Sequence, residues 1–190
     1  MKFLKPKLII VTGLSGSGKS ITLRSLEDLG YFCIDNLSPT MIIQMLGVIK
    51  KSHQKVYEKV AISIDIRSIK MDDDYHKSIA TLYSELLKLN FKSTTIFLHS
   101  STEILLSRFN ATRRLHPLTS DKVDLRTAIS KEAEIMQKLK ENSNLIIDTD
   151  KLLPLDLKKE IASKISIIKN NKDMLIQLQS FGYKNSIPNE

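Results

Sequence analysis

The segment Gly13-Leu14-Ser15-Gly16-Ser17-Gly18-Lys19-Ser20 has residue types and spacing that can grip a polyphosphate. Its glycines let the backbone turn tightly, so that several N–H groups converge on one anion. A helix starting where the loop ends adds the positive end of its dipole. Lys19 would reach β- and γ-phosphates, and the Ser20 hydroxyl would ligate Mg²⁺. The pattern therefore predicts a site for a nucleoside triphosphate with magnesium. A dinucleotide fingerprint is excluded by spacing: G-x-G-x-x-G begun at Gly16 needs glycine or alanine at position 21, which is Ile21.

Other groups must complete such a site. A phosphate loop commonly shares its metal with an acid at a strand end. Asp65 follows the apolar run Val60-Ala61-Ile62-Ser63-Ile64 and is the first candidate, with Asp35, at the end of Tyr31–Ile34, its rival. Each could instead cap a turn. Arg67 could meet a phosphate or a base, or lie on the surface. The run Thr112-Arg113-Arg114-Leu115-His116-Pro117 offers two arginines in a polar, basic stretch. As a lid, Arg113 and Arg114 would neutralise transition-state charge and exclude water; a solvated basic loop is the alternative. His53, His76 and His99 lack metal-ligand spacing with one another or with Cys33. The Asn-Lys-x-Asp guanine signature is absent, because Asp173 follows Asn171-Lys172 one position too early.

The elements that position these residues follow from hydrophobic periodicity. Leu8–Val11, Tyr31–Ile34, Val60–Ile66, Thr94–Leu98 and Leu145–Ile147 predict five buried strands. Between them lie helical patterns. The first runs from Lys19 to Leu29, stopped by Gly30. The second opens at Ser38-Pro39, with Ile42, Leu46 and Ile49 on one face. Asp72, Asp73 and Asp74 open the third, whose stripe is Tyr75, Ile79, Leu82, Tyr83 and Leu86. Ser100 and Glu103 predict a capping box for the fourth, ending near Phe109. Leu125, Ile129, Ala133, Met136 and Leu139 mark the fifth; Leu157, Ile161, Ile165 and Ile168 mark the sixth. Strands alternating with helices predict an α/β fold, a P-loop NTPase or kinase-like three-layer sandwich on a five-stranded parallel sheet. Residues 1–170 form the expected nucleotide-binding domain. Residues 171–190, with the strand-like Met174, Ile176 and Leu178, read as a linker and the start of a further domain.

The bulk numbers agree with one compact domain. The chain has 190 residues, 42% hydrophobic and 26% charged. Its net charge of +8 fits a lysine-rich surface, an anion site or contact with a polyanion such as RNA. The lysines form no long basic run, so charge alone does not favour RNA. No stretch approaches the length of a membrane span. A lone cysteine, Cys33, inside Tyr31-Phe32-Cys33-Ile34, reads as a buried small hydrophobe in a reducing compartment. The expected location is the cytoplasm.

Six segments, in order, are similar to the RapZ/YvcJ nucleotide-binding proteins of bacteria. They are Val11–Ser20, Leu26–Leu37, Ile64–Ser68, Thr112–Leu118, Leu145–Thr149 and Ser180–Lys184. The resemblance spans nearly the whole chain. It implies a P-loop domain that binds and hydrolyses ATP and GTP, with Gly13–Ser20 as the ATP site. By the same resemblance Asp65, Ile66, Arg67 and Ser68 form a guanine-nucleotide site. Some relatives act as RNase adapters that bind regulatory RNA, largely through a C-terminal domain that would begin about where this chain stops.

Three functions compete. The first is a Mg²⁺-dependent NTPase with a regulatory role, in which Lys19, Mg²⁺ and Arg113 or Arg114 stabilise charge during attack of water on the γ-phosphate. The second is a small-molecule or nucleoside kinase. The third is an RNA-binding adapter whose conformation nucleotide sets, with an RNA or protein partner for the whole protein; homo-oligomerisation stays open. No aromatic RNA platform is visible.

Overall fold

The structure is a computed structural model and describes residues 7–52, 55–69, 75–89 and 91–169. The tail from 170 onward and the acidic run Asp72–Asp74 lie outside the described residues, so the expectations placed on them stay untested. Five strands form one parallel sheet: β1 (Lys7–Gly13), β2 (Phe32–Ile34), β3 (Lys59–Ser63), β4 (Lys92–His99) and β5 (Leu145–Asp148). Their spatial order is β2-β3-β1-β4-β5. The strand carrying the phosphate loop is thus central, with Val11 level with Ser63 on β3 and Ile96 on β4.

Seven α-helices are described: α1 (Lys19–Asp28), α2 (Pro39–Lys51), α3 (Ile66–Ile69), α4 (Tyr75–Lys88), α5 (Thr102–Thr112), α6 (Leu125–Glu141) and α7 (Pro154–Lys169). Side chains alternate across a strand, so β1 feeds two cores. Ile9 and Val11 meet Leu23 and Leu26 of α1 and Leu157, Ile161 and Ile165 of α7. Leu8 and Ile10 meet the other layer, with Ile42, Leu46 and Ile49 of α2, Leu82 and Leu86 of α4, Leu105 of α5 and Met136 of α6. These are the three layers that the periodicity predicts. The second helix also begins as expected: Ser38 accepts from the Met41 N–H, with Pro39 in the first turn.

Four local expectations change. The third strand ends at Ser63, and Ile66 starts α3 instead. An apolar run cannot tell a buried strand from the buried turn that follows it. The fourth helix continues past Phe109 to Thr112. Its N-cap is Ser101, with no side-chain cap bond. Asp150 supplies the cap from across the fold, accepting from the Ser101 N–H at 2.8 Å and from Ser100 Oγ at 2.6 Å. On α6, Glu132 is fully buried where Ala133 was expected, and Ala133 is exposed.

Candidate functional site

The loop between β1 and α1 sits at the carboxyl end of the central strand. Gly13 has φ +139°, and a Cβ there would lie 2.2 Å from the Leu98 carbonyl oxygen. Only glycine fits against β4 at that point. Gly18 has φ +106° and forms the left-handed N-cap of α1. Its carbonyl accepts from the Ile21 and Thr22 N–H groups of the first turn, each at 3.0 Å.

Charged side chains hold the loop. Lys19 Nζ donates to the carbonyls of Gly13 at 2.7 Å and Leu14 at 3.1 Å, and lies 3.3 Å from Asp65 Oδ2. Arg108 of α5 donates to the Gly16 carbonyl at 3.1 Å and to Thr149 Oγ1 at 3.0 Å. Glu132 of α6 accepts from Ser15 N at 2.9 Å and from Ser15 Oγ at 2.8 Å. The loop's carbonyls are thus turned onto cations and the Ser15 amide onto Glu132.

Asp65 follows β3 and caps α3. Its Oδ1 accepts from the Arg67 N–H and from Arg67 Nε, each at 3.0 Å. Burial alone would raise the Asp65 pKa. The Lys19 charge and the Arg67 hydrogen bonds outweigh it and hold the carboxyl at about 2. Asp65 is therefore ionised next to the phosphate loop, as a metal-sharing acid must be.

A cleft of about 490 Å³ opens over the loop. Ser15 to Ser20, Asp65, Arg67, Arg108 and Arg114 line it, with an apolar wall of Leu115, Pro117, Leu152, Leu153, Pro154 and Leu157. The structure thus brings together the loop, Asp65, Arg67 and Arg114. Asp35 is exposed and does not line the cleft. Arg113 forms the left-handed C-cap of α5 and is absent from the lining. Ile66 and Ser68 are buried and do not reach the cleft wall. Ser68 Oγ donates instead to the Asp65 carbonyl at 2.6 Å.

Sequence reasoning missed Arg108, Glu132 and His116. His116 has a side chain with 0% exposure, and its Nε2 lies 2.9 Å from Glu132 Oε2. Its Nδ1 accepts from the Leu118 N–H at 3.1 Å, which places the ring proton on Nε2, donating to Glu132. The one available signal was Glu132 itself, next to an apolar stripe of α6 one residue out of register.

A magnesium ion and triphosphate suit these groups. Ser20 is exposed at the mouth of α1, and Asp65 is ionised beside Lys19. Among the described residues no cluster of three His, Cys, Asp or Glu side chains could hold a metal by itself. Such a metal would need ligand oxygens beyond the protein's own acids. Cys33 is no competitor: burial and nearby Glu27 push its thiol up to about 11.

Solved structures share this architecture. Shikimate kinase from Acinetobacter baumannii, solved with shikimate, superposes with a TM-score of 0.57 at 16% identity, over 88% of this chain and 97% of that one. A gluconokinase from Sinorhizobium meliloti gives 0.54 at 18%, over 86% and 93%. Fold and loop together define a P-loop domain of kinase-like fold. More particularly, the chain belongs to the family of the RapZ-like N-terminal domain, whose model matches residues 6–169. It is 41% identical over 181 residues to a nucleotide-binding protein of Clostridioides difficile, and 37% over 184 residues to one of Pseudoalteromonas atlantica. These matches cover 95% and 97% of this chain but 61% and 62% of the relatives. The chain thus spans about three fifths of their length.

Proposed function

We propose that this domain binds a nucleoside triphosphate with magnesium, hydrolyses ATP and GTP slowly, and serves a regulatory role in the whole protein. One observation carries the reading. Lys19, the only lysine among the described residues that line the cleft, is held by loop carbonyls and an ionised carboxylate.

In this reading Lys19 exchanges the Gly13 and Leu14 carbonyls for phosphate oxygens. Ser20 and Asp65 hold the metal, which when bound neutralises phosphate charge. Arg114 faces the charge that develops in the transition state, and Leu115 and Pro117 exclude water around it. Arg113 would have to leave its capping position to contribute. In this reading residues 1–170 are the nucleotide-binding unit.

Phosphoryl transfer to a small acceptor is the second reading. The cleft favours it, because its volume suits a small-molecule site and Arg67 and Arg114 both reach its wall. The deciding experiment is Mg²⁺-dependent ATP and GTP hydrolysis by the chain beside Lys19→Ala, with and without a metabolite panel. Turnover lost in the variant supports the first reading. Turnover greatly accelerated by one metabolite replaces it with the second. No nucleotide binding by either protein sinks both.

A further inference from the structure

A buried carboxylate, Glu132, lies behind the phosphate loop. Glu132 has no access to solvent and is held by three donors. Two belong to Ser15 in the loop, and the third is His116 Nε2 in the 113–118 segment. A buried polar group is tolerable only while its hydrogen-bond partners stay in place. The His116 ring also rests near Phe109, with centroids 5.2 Å apart. Phe109 in turn stands where a Cβ on Gly16 would meet it at 3.3 Å.

We infer that Glu132 is a positioning residue that locks the phosphate loop to the lid, through Ser15 on one side and His116 on the other. The physical reason is a shared acceptor, since one buried carboxyl takes hydrogen bonds from both segments. If His116 withdraws, Glu132 loses a donor, and its grip on the Ser15 amide must readjust. If the loop changes shape on taking up phosphate, the Ser15 amide shifts, and His116 must follow. Arg114, two residues before His116, is thereby presented to the cleft only when the loop is correctly formed. The functional meaning of this lock rests on the proposed nucleotide site; the lock itself consists of protein contacts alone.

Hydrogen exchange on the ligand-free chain tests it, comparing the original protein with His116→Asn and Glu132→Gln. The amide of Glu132→Gln has the same shape but one acceptor oxygen for three donors. In His116→Asn the Ser15 amide should exchange about tenfold faster, the middle of the range for residues sharing one hydrogen-bond network. Amides of β1 and β4 should not change. Faster exchange across the whole sheet would mean Glu132 serves only global stability and would overturn the inference. So would loosening confined to residues 113–118. Should Glu132→Gln fail to fold, Ser15→Ala and His116→Asn, singly and together, decide by exchange at the Leu118 amide. Additive effects refute the lock, and a departure from additivity of about tenfold supports it. Adding Mg²⁺ and ATP separates the two claims. A chain that takes up no nucleotide removes the proposed function, while the ligand-free exchange still decides whether loop and lid are coupled.

Discussion

Lys19 and Asp65 form a pair whose worth depends on pH. Asp65 ionises at about 2 in the fold, below the ordinary 3.8. A carboxylate with a depressed pKa adds stability above its unfolded value and loses it as pH falls through the folded one. The difference corresponds to about 2 kcal/mol, present above pH 4 and lost toward pH 2. Urea midpoints at pH 6 and pH 2.5 should therefore fall further for the original chain than for Asp65→Asn. Equal falls would show that Lys19 and Arg67 do not hold the carboxylate as described. At neutral pH, Lys19→Ala should weaken triphosphate binding by at least about tenfold, because a phosphate contact in a cleft is a charge-assisted bond. Titration calorimetry with Mg²⁺ and ATP measures it. An unchanged affinity would place the nucleotide elsewhere.

Elements decide what each of these residues can do. On α6 the buried face is Ala128, Ile129, Glu132, Met136 and Leu139. Glu132→Ala leaves three buried donors without their acceptor and should cost about 1–3 kcal/mol for each one that finds no other partner. Ala133→Ser, one residue away on the exposed face, should stay within about 0.5 kcal/mol. Denaturant unfolding of the two variants checks which residue faces inward, and equal costs would contradict the face seen here. The loop between β1 and α1 is as sensitive. Gly13→Ala drives a methyl into the Leu98 carbonyl of β4 and should cost at least about 3 kcal/mol, if the protein folds at all.

At the scale of the molecule, the central place of β1 ties the site to the fold. Its strand, both neighbours and the layers on either face meet at the phosphate loop, so a ligand there stabilises the whole. Triphosphate at a hundred times its Kd should add about 2.7 kcal/mol, or roughly 5–10 °C in Tm. Thermal unfolding with and without Mg²⁺ and ATP measures it, and Lys19→Ala should abolish the rise. Among the described residues no helix is long and apolar enough to cross a membrane.

The sequence by itself determined the phosphate loop, five parallel strands and most helix faces, because these are written in local period and spacing. Gly13 to Ser20 needs only neighbours in the chain to turn onto an anion. Ile42, Leu46 and Ile49 need only the helical repeat to share a face, and all are buried. Only the tertiary structure decided what holds the loop from behind. Arg108, His116 and Glu132 come from distant segments, and no period marks a charged residue that burial must satisfy with distant donors. The same physics moved the cap of α5 to Asp150 and left Asp35 outside the cleft while Asp65 lies beside Lys19. A strand-end carboxylate is a local feature, but which strand end lies beside the loop is set by the order β2-β3-β1, which places β3 and not β2 next to β1.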